Sequence, residues 1–383
     1  MKILLYDIGS YTQKDLIYYL ERQGCTCRNV LYKIRDFYQD SFFEYHFEKL
    51  LLADDYDFVM STNFSPIVAK ICNSHNKKYI AWVYDSPINV DHIEYYQYPT
   101  SYIFLFDRIE AQRVTDLGGV NIYHLPLAVN PNRFTRVEIG NDDIATYSAD
   151  ISFIGQFYNS ALKQVMNQID DYDSGYIDAI CESQFRIYGY NFVEEMVSDE
   201  LINRINKRLE EHGTINQLSK RGLIYHINRH VTHTERIVLL NMFEKRYDVK
   251  YYSGEQSEFL SRSKYCGTAH YYSEMPKIFR LSKLNLNPTL KSIQSGIPLR
   301  ALDILACKGA LMSNYQPELA EYFTDGEDVI MYDSIEDALC KADFYLKNED
   351  IRSQIVENGY QKVLTYFSYP DKIEAMLKTA DIL

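Results

Sequence analysis

The chain has 383 residues, more than one hydrophobic core usually serves, so two domains are expected. Hydrophobic residues make up 46% and charged residues 24% of the sequence, which is typical of a folded soluble protein. A formal net charge of −13 at pH 7 argues against non-specific binding to nucleic acid or to an anionic membrane surface. The sequence has no run of about 18 apolar residues, so no transmembrane segment is predicted.

The N-terminal stretch MKILLYDIGSYTQ lacks the long apolar core and the small-residue cleavage site of a signal peptide. It is predicted to contain the first β-strand. Seven cysteines occur singly, apart from Cys25 and Cys27, and none forms a CxxC pair. This usage predicts reduced thiols in a cytoplasmic protein, and neither a disulfide framework nor a zinc site.

Short apolar runs alternate with amphipathic segments in the first part of the chain. A stretch of helical period at 13–23 follows the first run and stops at Gly24. Alternation of this kind predicts a parallel sheet with helices on both faces. The predicted strands cover residues 2–7, 57–61, 78–84, 101–106 and 121–127.

The segment HLPLAVNPNRFTRVEIGNDD, residues 124–143, breaks this pattern with two prolines and a polar, acidic tail, which is typical of a linker. We therefore expect an N-terminal Rossmann-like domain over 1–145 and a C-terminal α/β domain over 146–368. The second domain is expected to open with a strand at 149–157 and to carry a helical insertion at about 160–246.

After the insertion the alternation of strands and helices resumes. The predicted strands include 283–288, 310–314 and 328–332, with helices near 273–281, 299–307 and 316–323. The tail is expected to form two helices separated at 368–370. Two such domains predict a cleft, with ligands beyond the carboxyl ends of the strands.

Several common catalytic motifs are absent from the sequence, namely GxGxxG after the first strand, GxxxxGK[ST], HExxH and GxSxG. His226, His230 and His233 come nearest to metal-ligand spacing. Their helix also carries Arg229 and Arg236, so we expect these histidines to face solvent. No metal and no bound cofactor is predicted.

Asp85 follows a strand in WVYDSPIN and precedes a proline turn. One interpretation is a carboxylate that overhangs the cleft as a general base or binds a hydroxyl. The other is a turn in which the side chain bonds its own backbone. The sequence does not decide between them.

Two glycines also follow predicted strands, Gly155 in FIGQFYNS and Gly267 in YCGTAHYY. A glycine in this position allows close approach of a ligand, and the amides that follow are able to meet a phosphate. An ordinary turn is the alternative.

The stretch SGIPLRALDILACKGALMSN, residues 295–314, places Arg300 and Asp303 on one face of a predicted helix. Pro298 fits the first turn of that helix and Gly309 the position beyond its end. An arginine in the first turn is unfavourable with respect to the helix dipole. This cost is explained if the arginine and the positive end of the dipole both bind an anion. The alternative is that the two side chains pair only with each other.

The residues from MPKIFRLSKLNLNP through SGIPLRALDILACKGALMSN to DVIMYDS, with NGYQKV at 358–363, resemble the bacterial CgeB-like glycosyltransferases. YDSP, FDR and HLPLAVNPNRF resemble the domain that often precedes that C-terminal domain. The resemblance implies the GT-B fold, with two Rossmann-like domains that face a central cleft. It also implies that the final helix, within 369–383, packs back on the N-terminal domain.

The same resemblance implies roles for individual residues. Asp303 would hold the donor ribose, while Arg300 and the loop at Gly155 would meet the diphosphate. Gly267 to His270 would lie near the nucleobase of the donor. Many retaining members carry a second carboxylate eight positions before the ribose-binding one, but this chain has Ser295 there. The motif therefore does not indicate whether transfer retains or inverts the anomeric configuration, and Asp85 is our candidate for the catalytic general base.

These expectations describe a metal-independent, cytoplasmic hexosyltransferase that moves a sugar from a nucleotide diphosphate, with UDP-sugar favoured. The acceptor would be a protein, a glycan or a small molecule, and assembly into an oligomer stays open. Two alternatives remain. One is a catalytically silent glycosyltransferase-like partner, and the other is a nucleotide-sugar epimerase.

Overall fold

The computed structural model describes residues 1–88, 90–213 and 217–383. The chain folds as two compact units, each assembled from separate stretches. Unit 1 contains Met1–Asn132, Gly296–Asp303 and Val363–Leu383. Unit 2 contains Arg133–Ser295 and Ile304–Lys362. Asn89, the last residue of WVYDSPIN, lies outside the described residues.

Unit 1 contains a six-stranded parallel sheet in the order β2-β1-β3-β4-β5-β6. Its strands are β1 Lys2–Asp7, β2 Thr26–Leu31, β3 Phe58–Thr62, β4 Tyr79–Val83, β5 Ser101–Leu105 and β6 Ile122–His124. The sequence predicted five of these strands but not β2. That strand lies at the sheet edge and is mostly exposed, so it lacks the apolar run that marks the buried strands.

Unit 2 contains a second parallel sheet, also of six strands, in the order β12-β11-β10-β7-β8-β9. Its strands are β7 Ala149–Ile154, β8 Val249–Tyr252, β9 Lys264–Tyr265, β10 Ser282–Asn287, β11 Leu311–Asn314 and β12 Ile330–Tyr332. Chain order and spatial order differ because helices cross between parallel strands, as the alternating sequence pattern predicted.

The helices are α1 Gln13–Arg22, α2 Ser41–Leu52, α3 Pro66–Ser74, α4 Arg108–Asp116, α5 Pro131–Thr135, α6 Asn141–Tyr147, α7 Leu162–Met166, α8 Asp171–Phe185, α9 Val193–Met196, α10 Asp199–Glu211, α11 Lys220–Phe243, α12 Met275–Leu281, α13 Leu299–Ala306, α14 Pro317–Tyr322, α15 Ile335–Lys347, α16 Glu349–Tyr366 and α17 Tyr369–Thr379. A 3₁₀ turn covers Ile93–Gln97. Within the described ranges, no helix is both long enough and apolar enough to cross a membrane.

The predicted linker at 124–143 contains helical structure. Pro131 opens the short helix α5, and Gly140 begins a capping box in which its backbone N–H donates to Asp143 Oδ2 at 2.9 Å. Pro131, Asp142 and Asp143, which suggested coil, therefore lie at helix starts, whereas Pro126 lies outside the helices.

The helical insertion has a hydrophobic core of its own, distinct from the core beneath the second sheet. Its buried side chains come from α7 to α11 and include Leu162, Ile177, Ile205 and Val231. Arg204 of α10 forms an ion pair with the buried Asp173 of α8, with Nη2 2.7 Å from Oδ1. The insertion is therefore packed as a helical subdomain within unit 2.

The last helix belongs to unit 1. The ring of Tyr369 stacks on Tyr19 of α1 with centroids 5.2 Å apart, and its edge meets Trp82 of β4 at 5.8 Å. Both aromatic contacts bury the start of α17 in this unit.

Gly359 in α16 packs against the backbone without room for a side chain. A Cβ atom there would lie 2.4 Å from the Asp328 carbonyl oxygen and 2.9 Å from Leu305 Cδ2. We expect Gly359→Ala to lower the free energy of unfolding by about 1–3 kcal/mol through overpacking, measured by urea denaturation.

The matched control is Gly175, an exposed glycine inside α8 with no atom within 4 Å of an added Cβ. Gly175→Ala should stabilise the protein by about 0.5–1 kcal/mol because alanine loses less backbone entropy in a helix. An equal effect of both substitutions would contradict the packing argument.

Candidate functional site

Asp85 is held by the side chain of Asn63, which directly follows β3. Asn63 has a left-handed backbone conformation with φ of 68°. Its Oδ1 accepts hydrogen bonds from the backbone N–H of Tyr84 at 2.6 Å and of Asp85 at 3.2 Å. Its Nδ2 donates to Asp85 Oδ2 at 2.7 Å. The carboxylate is therefore bonded to a neighbouring loop and not to its own backbone, against the turn interpretation.

The remainder of this loop is held by acidic side chains of α4. Ser86 Oγ donates to Asp107 Oδ2 at 3.0 Å, and the Ile88 N–H donates to Glu110 Oε1 at 2.8 Å. Asp107 also caps α4, while Glu110 forms a two-pronged ion pair with Arg113. Asp85 thus lies on a loop fixed from both neighbouring strands of the sheet.

Asp85 also faces a cavity of about 470 Å³ within unit 1. Solvent reaches the side chain, but the concave wall around it limits hydration. This burial raises the pKa of the carboxyl, and the hydrogen bond from Asn63 partly opposes the rise. A carboxylate with a raised pKa is a stronger proton acceptor, which suits a general base.

The segment 296–303 approaches the end of β5 too closely for a side chain at Gly296. A Cβ there would lie 2.7 Å from Phe106 Cδ2 and 2.8 Å from the Phe106 carbonyl oxygen. Glycine is therefore required for this approach. It brings the start of α13 beside residues 106–108, the FDR stretch that the sequence singled out.

Arg300 and Asp303 lie on one face of α13, as predicted. Arg300 Nη1 is 3.4 Å from Asp303 Oδ2, and the exposed fractions of the two side chains are 32% and 1%. Asp303 is also close enough to Tyr84 to help raise the pKa of that phenol, although burial is the main cause. The structure therefore presents a buried carboxylate beside a partly accessible guanidinium.

Gly309 does not end α13 in the way that was predicted. The left-handed residue after the helix is Lys308, with φ of 59°. A Cβ at Gly309 would instead lie 2.8 Å from Asn285 Nδ2 and 3.0 Å from the Phe279 carbonyl oxygen. Close packing against β10, and not backbone conformation, explains this glycine.

In unit 2, Gly155 directly follows β7 and lies beside a buried arginine of α11. A Cβ at Gly155 would lie 2.9 Å from the Phe153 ring and 3.6 Å from Arg236 Nη1. The guanidinium of Arg236 donates to the Gln156 carbonyl and, at 2.5 Å through Nη2, to the Pro288 carbonyl. Arg236 therefore ties together the loops after β7 and β10.

Glu235, the residue next to Arg236 on α11, holds the loop after β10 at a second point. Lys291 Nζ lies 2.9 Å from Glu235 Oε2, and both side chains are buried. The ring of Tyr188 packs over this ammonium at 4.1 Å, and Tyr332 donates to Glu235 Oε1 at 3.2 Å. The sequence did not reveal this group, because charges on a helix usually indicate a solvent-facing side.

Gly267 and His270 lie after β9. Gly267 has φ of +73° and accepts a hydrogen bond from the Ser253 N–H at 2.8 Å. His270 is exposed, and its Nδ1 lies 2.7 Å from Ser273 Oγ. Gly155 donates to the Tyr252 carbonyl at 3.0 Å, so the end of β8 contacts the loops of both glycines. These loops share the carboxyl edge of the second sheet.

The histidines of α11 are not on a solvent face, so the prediction from helix charge was wrong. His226, His230 and His233 are partly buried, and burial lowers the pKa of each ring. His233 Nδ1 lies 3.1 Å from the Phe157 carbonyl oxygen. No metal-binding group of three or more such side chains occurs among the described residues.

Residues 245–378, about a third of the chain, match the sequence profile of a family described as "Glycosyl transferase-like". No curated protein gave a significant match. Solved structures match over almost the whole chain at low identity. Sucrose-phosphate synthase of Thermosynechococcus elongatus has a TM-score of 0.59 at 10% identity and covers 99% of this chain and 98% of its own.

Two further structures give a similar result. A glycosyltransferase of Rickettsia africae has a TM-score of 0.57 at 11% identity, with 99% of this chain and 98% of that one covered. HepE of Anabaena, solved with UDP and glucose, has a TM-score of 0.54 at 10% identity and full coverage of both chains. The chain has the GT-B fold. This confirms the fold class predicted from the sequence.

The raised pKa of Asp85 predicts a pH-dependent effect on the stability of this GT-B chain. A carboxyl whose folded-state pKa is raised contributes stability below its unfolded pKa, and that contribution is lost as pH rises through the folded value. Asp85→Asn should therefore raise the melting temperature at about pH 8, and the gain should shrink as the pH is lowered and the wild-type carboxyl takes up its proton.

Asp55→Asn, at an exposed carboxylate in the same unit, is the control for a general charge effect. If Asp85→Asn gave the same shift at both pH values, the burial of a charge at this position would not be the cause.

Proposed function

We propose that the protein is a glycosyltransferase that moves a sugar from a UDP-sugar to an acceptor. The matched family and the GT-B fold support the reaction class. Structures of HepE with UDP and glucose, and with UDP-glucose, support a UDP-sugar donor. We also propose membership of the bacterial CgeB-like group, on the motifs between residues 275 and 363.

The pairing of Arg300 with the buried Asp303 at the start of α13 is the observation that carries this proposal. We assign Asp303 to the donor ribose, whose hydroxyls a carboxylate accepts well. Arg300, together with the N-terminus of the helix, is assigned to the diphosphate. The partly exposed guanidinium is accessible to a diphosphate, and the buried carboxylate has a fixed position suited to ribose hydroxyls.

The loops of unit 2 receive the remaining donor roles. Gly155 supplies a backbone position free of a side chain, and Arg236 fixes the loop that follows it. We propose that this loop binds the diphosphate of the donor. We propose that the turn from Gly267 to His270 binds its nucleobase. We further propose that residues 1–145 with 369–383 form the acceptor side, and that residues 146–368 form the donor side.

Asp85 is the proposed general base, since its raised pKa and its exposed position suit proton transfer. Cationic side chains and helix dipoles are able to offset the charge of a leaving diphosphate, so we propose that transfer needs no metal. The scattered free cysteines, Cys340 among them, favour a cytoplasmic protein.

Substitution of the α13 pair tests the donor site. Asp303→Asn and Arg300→Gln should each weaken UDP binding on the order of 10- to 100-fold, because each removes charge-assisted hydrogen bonds. Isothermal titration with UDP measures the effect, and circular dichroism checks the fold.

Arg208→Gln is the matched control, because Arg208 is an exposed arginine of the helical insertion that pairs with Glu211. If UDP affinity stayed unchanged in both α13 variants, Arg300 and Asp303 would not bind the donor.

Turnover of UDP-sugars separates the proposed reaction from its alternatives. The wild-type protein should release UDP from a UDP-hexose, faster with an acceptor present. Asp85→Asn should bind UDP normally but lose roughly 100-fold or more in transfer rate, as expected for removal of a general base. Coupled UDP detection and mass spectrometry of the products measure both.

UDP binding without release would indicate the silent partner instead. Conversion of the UDP-sugar into an isomer would indicate an epimerase. Wild-type transfer rates in Asp85→Asn would remove Asp85 as the base while leaving the transferase proposal intact.

A further inference from the structure

The cavity beside Asp85 is lined mainly by apolar side chains. Its volume of about 470 Å³ lies within the range of small-molecule pockets, roughly 300–1,000 Å³. The apolar side chains on its wall are Ile8, Ile34, Phe37, Phe64, Val83 and Ile88. Ile8 and Phe37 are 42% and 43% exposed, respectively, so apolar surface is open to an occupant.

Most polar groups on the cavity wall are already used within the protein. Both polar atoms of the Asn63 side chain hold the Asp85 loop. Tyr6 donates to the Tyr32 carbonyl at 3.1 Å, and Ser65 Oγ caps helix α3. Lys33 is exposed, so bulk water reaches its side chain. The wall therefore offers few hydrogen bonds to a bound molecule.

The carboxylate of Asp85 differs from these groups. Its Oδ2 accepts from Asn63, whereas its Oδ1 has no partner among the described residues. A ligand in the cavity thus meets apolar surface together with one fixed proton acceptor.

We infer that the acceptor is a small, largely apolar alcohol, such as a phenol or a long-chain alcohol, whose hydroxyl reaches Asp85 Oδ1. This inference rests on the proposed function and narrows its acceptor. In the reaction, the hydroxyl oxygen forms a bond to the anomeric carbon of the donor while the bond from that carbon to the diphosphate oxygen breaks. The hydroxyl proton passes to Asp85, and UDP leaves with the bonding electrons.

A glycan fits this cavity less well. Each sugar ring carries several hydroxyls, and an apolar wall leaves them without partners at a cost of about 1–3 kcal/mol for each buried group. An aryl or alkyl body loses no hydrogen bonds there and gains from burial. The chemistry of the wall therefore favours an apolar acceptor over a sugar chain.

Binding to the full-length protein tests the inference. The probes are 4-methylumbelliferone, 2-naphthol and 1-decanol, with maltose as the sugar comparison, and affinity is measured by fluorescence or calorimetry. At least one apolar alcohol should bind saturably. Phe37→Ala should weaken that binding about tenfold, because an exposed part of the apolar wall is removed.

Phe42→Ala is the matched control. Phe42 is 56% exposed in the same unit and stacks on Tyr32, but it is not among the residues that line the cavity. Its variant should keep wild-type affinity for the probe, and both variants should keep their UDP affinity. Asp85→Asn should retain probe binding within about threefold and lose the hexose transfer seen by mass spectrometry.

The inference is overturned if none of the apolar alcohols binds, if Phe37→Ala binds as tightly as the wild type, or if maltose is the better acceptor. UDP binding and UDP-hexose turnover are measured on the same samples. A failure confined to the apolar probes therefore removes only the acceptor class. A protein that neither binds UDP nor consumes a UDP-sugar would instead remove the proposed function, whatever the cavity binds.

Discussion

The position of Asp85 depends on one side chain, that of Asn63. A single amide uses its oxygen for two backbone N–H groups of the following loop and its nitrogen for the carboxylate itself. This requires the left-handed backbone of Asn63, a conformation that asparagine tolerates better than most residues. The backbone N–H groups of Tyr84 and Asp85 thus have partners, and the carboxylate keeps one oxygen available. The wall of the apolar cavity therefore carries one carboxylate, that of Asp85, in a fixed position.

In unit 2, buried cations hold the loops that follow the strands. Arg236 lies on α11 and Lys291 lies in the loop after β10, and each is buried together with its hydrogen-bond or charge partner. Removing either cation would leave buried carbonyl or carboxylate oxygens unpaired. The loops after β7 and β10 are therefore fixed by contacts within unit 2, which would reduce the ordering entropy lost in the donor binding that we propose.

The fold was predictable from the sequence wherever burial dictates composition, and less so elsewhere. The central strands are apolar runs because both faces of a parallel sheet are covered, whereas the edge strand β2 has no such run. Arg300 and Asp303 were found because helical spacing is local. Asn63 and the buried Arg236 were missed, since their partners lie far along the chain. The reason for Gly296 was also hidden, because only the folded chain shows that Phe106 occupies the space of a Cβ.

The hydrogen bonds of Ser295 bear on which carboxylate is assigned as the general base. The resemblance noted above implies a carboxylate at that position in many retaining members, but here Ser295 Oγ donates to the Glu318 carboxylate at 2.7 Å, and the Glu318 N–H donates to the Ser295 carbonyl at 3.0 Å. Both residues are buried, so this carboxylate stabilises the turn that leads into Gly296. A carboxylate without solvent access has no route for a proton from an acceptor. In the transfer that we propose, this step is therefore assigned to Asp85, which is solvent-accessible and has a raised pKa.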